Sequence, residues 1–154
     1  MCGLLGILTA DPQHRPDTAL LRRYLEPLVP RGPDHQEVRT EPGLGLGHAR
    51  LAILDLGDQA NQPMGEGAAG ELVYNGEIYN FAALGKELGD TRYDGAGDTR
   101  VLHGYLRRHG VQADLNALDG MFAFAYYDRN EDAILLARDA LGQKPLYYAH
   151  IHGD

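Results

Sequence analysis

The longest uninterrupted apolar stretches of this chain, such as Met121 to Tyr127, have the length of a β-strand and fall far short of the ~20 residues that cross a bilayer. A chain patterned this way buries its apolar surface by layering short strands and amphipathic helices. Its 154 residues suit one domain with a core large enough to need no covalent staples. Hydrophobic residues at 44% and charged residues at 23% exclude a disordered tail or a fibrous protein. Fourteen basic against twenty-two acidic residues give a formal net charge of -8, which repels nucleic-acid phosphates and argues against such a partner. The apolar N-terminus, Met1 to Leu8, lacks a basic leader and runs into Asp11-Pro12, so it does not read as a signal peptide, and a cytoplasmic location is expected. The single cysteine cannot form an internal disulfide; what matters is that it stands at position 2.

Gly3 to Ala10 reads as a buried strand ended by Asp11 and Pro12. Leu20, Leu21, Tyr24, Leu25 and Leu28 share a helical face behind an Asp17 cap, and Pro30 stops that helix. Arg31 to Asp34 is turn chemistry, the chain becomes extended from Glu37, and Leu44 to Leu54 alternates glycine with apolar residues before a loop from Asp55 to Gly70. Glu71 to Tyr74 is a strand expected to end in a tight turn of positive φ at Asn75-Gly76. A helix from Asn80 presents Phe81, Leu84 and Leu88, and another presents Val101, Leu102, Tyr105 and Leu106 after a cap near Asp98. Met121 to Tyr127 and Ala133 to Ala137 form a hairpin through Asp128 to Asp132, and Leu146 to Ile151 is a last strand. The order predicts an α+β fold. Strand-like sequence so close to Asp154 leads us to expect a domain lacking its last C-terminal strands.

Cysteine is the strongest side-chain nucleophile, and it needs a base or a lowered pKa to present its thiolate. With Met1 removed, the α-amine of Cys2, whose ordinary pKa is ~7.7–8.0, could serve as that base. A lone cysteine at the start of a strand also reads as a small apolar residue, and position alone does not decide.

The blocks along the chain are Met1-Cys2-Gly3, Arg31-Gly32-Pro33-Asp34, Gly47-His48-Ala49-Arg50-Leu51-Ala52-Ile53-Leu54-Asp55 and Asn61-Gln62-Pro63-Met64. They continue with Tyr74-Asn75-Gly76-Glu77-Ile78-Tyr79-Asn80, Gly97-Asp98-Thr99, Gly120 to Ala125, Ala137-Arg138-Asp139 and Leu141 to Tyr148. This series resembles the glutaminase domains of asparagine synthetases, the class II, N-terminal-nucleophile glutamine amidotransferases. The resemblance spans nearly the whole chain and implies one glutaminase domain over residues 2–154, a piece of a longer synthetase. It implies a four-layer α/β/β/α N-terminal-nucleophile hydrolase sandwich that converts L-glutamine to glutamate and ammonia through a glutamyl thioester. By the same resemblance Cys2 is the nucleophile, and Asn75 and Gly76 form the oxyanion hole. Arg50 binds the substrate carboxylate, Asp98 and Glu77 hold its ammonium, and the backbone around Leu51, Ile53 and Pro63 lines the pocket. Glutaminase domains of this kind often carry Ser-Asp-Thr-Glu where this chain has Gly97-Asp98-Thr99-Arg100, which alters the charge beside the ammonium site while keeping Asp98.

The resemblance implies no metal and no cofactor for this domain, ATP and magnesium for a synthetase domain absent from this chain, and no membrane; a homodimer is compatible with it. Two alternatives stay open: a catalytically silent domain that binds glutamine or a protein partner, and an amidotransferase whose ammonia acceptor is not aspartate. Asn75-Gly76 could be only a turn, Asp98 only a helix cap and Arg50 only a solvated strand residue. Gly43 to Gly47 has the wrong glycine spacing for a dinucleotide loop and reads as strand. His150 and His152 lack the further ligands that a zinc site needs. Tyr74, Tyr79, Tyr147 and Tyr148 are expected in the core or the wall of a site.

Overall fold

The computed structural model describes residues 1–53, 55–65 and 69–151; the readings that fall on Leu54, on residues 66–68 and on His152 lie outside them. The elements run β1 (Gly3–Leu8), α1 (Thr18–Leu25), a 3-10 turn (Glu26–Arg31), β2 (His35–Glu41), β3 (Leu44–Arg50), β4 (Met64–Gly65) and β5 (Gly70–Ile78). They continue with α2 (Phe81–Leu88), α3 (Asp98–His109), β6 (Gly120–Asp128) and β7 (Ala133–Arg138). The strands form two antiparallel sheets, ordered β1-β3-β2 and β4-β5-β6-β7. The fold is α+β, as the element order predicts.

The Gly-Leu alternation of β3 has a two-sided explanation. Successive residues of a strand face opposite ways, so Leu44 and Leu46 share one face while Gly45 and Gly47 share the other. The leucines meet Val73 and Ala125 of the second sheet. The glycines admit α1: a Cβ on Gly45 would lie 2.8 Å from the side chain of Leu21. On the opposite flank α3 packs on β5, and Leu84, Val101, Leu102 and Leu106 join Leu72, Ile78, Phe122 and Phe124 in the larger core. Burying each such side chain contributes about 1.5–3 kcal/mol before entropy is subtracted.

Asp17 caps α1 as expected, accepting from the Ala19 N–H at 2.8 Å. Its buried face is narrower than predicted: Leu21 and Leu25 face the sheet, whereas Leu20 and Tyr24 are exposed, because an eight-residue helix against a sheet covers only one stripe. The first strand stops at Leu8, short of Ala10. The helix α3 is capped by Gly97, and Asp98 is its first residue, its side chain turned to β5 instead.

Two larger expectations are corrected. Asn75-Gly76 is no turn: β5 runs through both to Ile78, in unbroken register with β6. Gly76 is required for close approach, since a Cβ there would lie 2.2 Å from the Met121 carbonyl oxygen. Residues 146–151 form no strand: among the described residues neither sheet pairs with them, and Tyr147, Tyr148 and Ile151 are exposed. Tyr79 is likewise exposed, while Tyr74 is buried.

Candidate active site

Residue Cys2 sits just ahead of β1, whose first residue, Gly3, pairs with Ala49 of β3, so the thiol reaches the point where the chain leaves β3. The Leu51 N–H points at Cys2 Sγ at 3.4 Å, and the thiol lies 3.7 Å from the Leu51 carbonyl oxygen. Arg31 Nε donates to the Cys2 carbonyl at 3.2 Å, and the Cys2 N–H donates to Asn75 Oδ1 at 3.0 Å. Three stretches of chain that are far apart in sequence therefore fix this residue. A cleft of about 120 Å³ opens beside it.

Eight of the nine residues proposed from sequence line that cleft: Cys2, Arg50, Leu51, Ile53, Asn75, Gly76, Glu77 and Asp98. The ninth, Pro63, is fully buried behind the wall, and its neighbour Gln62 lines the cleft in its place. Sequence reasoning missed Gln62 and Lys144 as lining residues. The signal for both was present in the blocks Asn61-Gln62-Pro63-Met64 and Leu141 to Tyr148, which carry polar side chains among residues suited to burial.

The backbone edge of β5 explains why the cleft lies here. Among the described residues β4 pairs with β5 only at Glu71 and Leu72, and none of them places a strand on that side of β5 from Val73 onward. In an antiparallel ladder, residues alternate between facing one neighbour and the other. Tyr74 faces the open edge: its N–H donates to Gln62 Oε1 at 2.6 Å and its carbonyl accepts from His48 Nε2 at 2.9 Å. Ile78 faces the same edge, its N–H donating to Asp98 Oδ2 at 3.1 Å. Between them the N–H of Gly76 points outward too, a phase verified from the other side. Its ladder partner Phe122 exchanges hydrogen bonds with Asp139 and not with β5. Side chains thus stand in for the missing strand at Tyr74 and Ile78, and the Gly76 N–H between them borders the cleft.

The charges are arranged around this edge. Arg50 is buried and donates to Asn61 Oδ1 at 2.7 Å, to the Gly57 carbonyl at 2.9 Å and to the Asp55 carbonyl. None of these acceptors is a carboxylate, and the guanidinium brings positive charge to the cleft wall. Asp98 is also buried, accepting from Tyr74 Oη at 2.7 Å and from the Thr99 N–H at 2.8 Å. Burial and the adjoining Asp98 carboxylate push the Tyr74 phenol above its ordinary range, so it stays a donor. Burial lowers the pKa of His48 to about 4 against the raising effect of its bond to Tyr74, and Arg50 lowers it further. The ring is therefore neutral and donates through Nε2–H. Lys144 is buried with Nζ 3.3 Å from Met1 Sδ. Its backbone N–H is one of four, with Phe122, Leu141 and Gln143, held by the Asp139 carboxylate. Burial pushes that carboxyl up, but these four bonds outweigh it and hold its pKa below the ordinary range.

A thiol, an outward backbone N–H, an orientable side-chain amide, one cationic wall and one anionic wall are the parts of a site for acyl chemistry on a small zwitterion. Among the described residues no cluster of three or more His, Cys, Asp or Glu could hold a metal ion, and no helix is long and apolar enough to cross a membrane.

The whole chain, residues 1–154, matches the family described as "Glutamine amidotransferase domain". It is 36% identical to asparagine synthetase [glutamine-hydrolyzing] 3 of Bacillus subtilis, over 96% of this chain and 25% of that protein. Identity to asparagine synthetase B [glutamine-hydrolyzing] of Escherichia coli is 34%, over 97% of this chain and 27% of that protein. Amidase chry2 of Gibberella zeae is 32% identical over 96% of this chain and 24% of its own length. The chain belongs to the glutamine amidotransferase domain family, and it spans about a quarter of the length of these curated relatives.

Proposed function

We propose that this chain hydrolyses L-glutamine to glutamate and ammonia through a glutamyl thioester on Cys2. The observation that carries the reading is the outward N–H of Gly76 in the cleft beside a thiol and the Asn75 amide. With Met1 removed, the freed α-amine of Cys2 takes the thiol proton while Sγ attacks the carboxamide carbon of the substrate. The carbonyl oxygen becomes an oxyanion and is met by the Gly76 N–H and by Asn75 Nδ2. Asn75 Oδ1 is already engaged by the Cys2 nitrogen, so Nδ2 is the end left for the ligand. The C–N bond then breaks, the ammonium returns its proton to the leaving amine, and ammonia departs. Water adds to the thioester, the C–S bond breaks, and glutamate and the thiol are released. Arg50 suits the substrate carboxylate because guanidinium binds carboxylates bidentately. Asp98 and Glu77 suit its ammonium.

Two sheets face to face with α1 outside one and α3 outside the other support the four-layer N-terminal-nucleophile sandwich as the architecture. By the sequence resemblance to glutaminase domains of asparagine synthetases, the reading extends to ammonia consumed in the cytoplasm by an ATP- and magnesium-dependent synthetase domain, with aspartate as acceptor. The likeness to a relative named as an amidase favours one second reading, in which the acceptor is a different compound.

The test is the intact mass of the purified protein before and after exposure to a glutamine-mimicking diazoketone, with peptide mapping and an assay of glutamate release. Loss of Met1, an adduct on Cys2 and glutamate formation are expected. Glutamine binding with Cys2 unmodified and no glutamate produced would overturn the reading in favour of a silent binding domain.

A further inference from the structure

The same open edge of β5 raises a question about the two side chains that fill it. His48 comes from β3 and Gln62 from the segment leading into β4; they are 0% and 3% exposed, and both address a single residue, Tyr74. We propose that His48 and Gln62 are positioning residues for the oxyanion donors; this rests on the glutamine-hydrolysis reading above.

The Tyr74 carbonyl belongs to the same planar peptide group as the Asn75 N–H. A donor on that carbonyl therefore sets the rotation of the peptide group from which the Asn75 side chain and, one residue on, the Gly76 N–H project. Gln62 fixes the preceding peptide group through the Tyr74 N–H. Beyond the donors, Asp98 fixes the Ile78 N–H. On its outer edge the Gly76 N–H is thus bracketed two residues away on either side by side chains, while β6 holds the inner edge through Asn75.

A second feature separates this from ordinary packing. The other ring nitrogen of His48, Nδ1, is buried with no hydrogen-bond partner among the described residues. An unpaired buried polar atom is costly, and an apolar side chain of similar volume would avoid that cost if filling space were the only requirement. What the ring supplies that such a side chain cannot is the Nε2–H on the Tyr74 carbonyl. Gln62 presents the matching case: only its Oε1 serves the Tyr74 N–H, and a methionine would fill nearly the same volume without it.

The consequence concerns the transition state. Oxyanion donors misplaced by a fraction of an ångström lose the bond that strengthens as the tetrahedral intermediate forms, while substrate carboxylate and ammonium contacts persist. Loss of either positioning bond should therefore appear in kcat and leave KM nearly unchanged.

The experiment compares the full chain with His48→Leu, His48→Gln and Gln62→Met. Glutamine kinetics are expressed per Cys2 titratable by the diazoketone, so that misfolded molecules are not counted. We expect His48→Leu and Gln62→Met to lower kcat about 10-fold or more with KM within about 3-fold of wild type. His48→Gln, whose amide N–H reaches the position of Nε2, should recover most of the loss. Should His48→Leu fail to fold, Gln62→Met and His48→Gln still decide. Wild-type kcat per titrated site in Gln62→Met overturns the inference. So does a rise in KM at constant kcat, which would place the effect on substrate binding through Arg50. Wild-type protein that releases no glutamate would instead overturn the glutaminase reading, and the inference with it.

Discussion

The two ends of β5 are built on opposite principles. At the Glu71 end, β4 pairs the outer edge, and the buried Glu71 carboxylate is met from both sides, by Arg39 of β2 at 2.8 Å and by Arg129 at 3.0 Å. Arg129 also pairs with Glu41 of β2, so these ion pairs tie the first sheet to the second. At the Tyr74–Ile78 end only His48, Gln62 and Asp98 hold the outer strand edge among the described residues, and the hydrogen-bond acceptors of the buried Arg50 are neutral. At one end the carboxylates are met by arginines within the protein, with Arg129 Nε the one buried atom there that has no hydrogen-bond partner among the described residues. The other leaves an N–H and a guanidinium facing a cleft. The unsatisfied end is the less stable arrangement taken alone, and it persists because the satisfied end and the core behind it hold the strand in register.

That contrast can be broken in order of effect. The largest change is expected at the open end, where Cys2→Ala should abolish glutamate release while the melting temperature stays within a few degrees of wild type; residual turnover at the wild-type rate would remove Cys2 from the mechanism. Asn75→Ala should lower kcat about 100-fold, corresponding to ~3 kcal/mol of lost oxyanion stabilisation, with a much smaller change in KM, and equal changes in both would reassign Asn75 to binding or folding.

The next effect sharpens the comparison through pH. Folding lowers the pKa of His48 from its ordinary 6.5 to about 4, so the unfolded chain binds the proton more tightly than the native protein. Stability from this residue is therefore complete above about pH 6.5 and is lost as the pH falls toward 4. Roughly 2–3 kcal/mol should disappear between pH 7 and pH 4.5 in the wild type and not in His48→Gln, as read from urea unfolding at the two pH values. Parallel curves would mean that His48 is not buried as a neutral ring.

The smallest effect belongs to the satisfied end. Glu71→Gln should cost about 1–2 kcal/mol, below the full penalty of breaking a buried pair because both arginines keep partial access to water. It should leave kcat per titrated site unchanged, and a fall in kcat there would show that the two ends are coupled along the strand.

The helix and strand positions were largely legible because hydrophobic period is a local property. The hairpin of β6 and β7, the Asp17 cap and the glycine-leucine strand β3 all follow from residues within a few places of each other. The candidate site was legible for a different reason: eight of nine expected residues line the cleft because the motif blocks themselves mark it. Where the reading failed, non-local packing overrode local chemistry. Asn75-Gly76 has the composition of a tight turn, yet β6 pairs across it and the glycine answers the approach of the Met121 carbonyl. Leu146 to Ile151 has strand composition, yet composition supplies no partner strand, and the segment joins neither sheet, with Tyr147, Tyr148 and Ile151 exposed.

By itself the sequence determined an α+β chain of short strands and amphipathic helices, with a cysteine at position 2 and an amide-glycine pair, an arginine and an acidic residue spaced along it. Only the tertiary structure decided that β4 begins at Met64, opposite Leu72, so that the Gly76 N–H faces a cleft, and that His48 and Gln62 stand in for the missing strand. The physical reason is that a side chain's identity is written locally, whereas the satisfaction of a backbone hydrogen bond depends on which distant segment lies beside it.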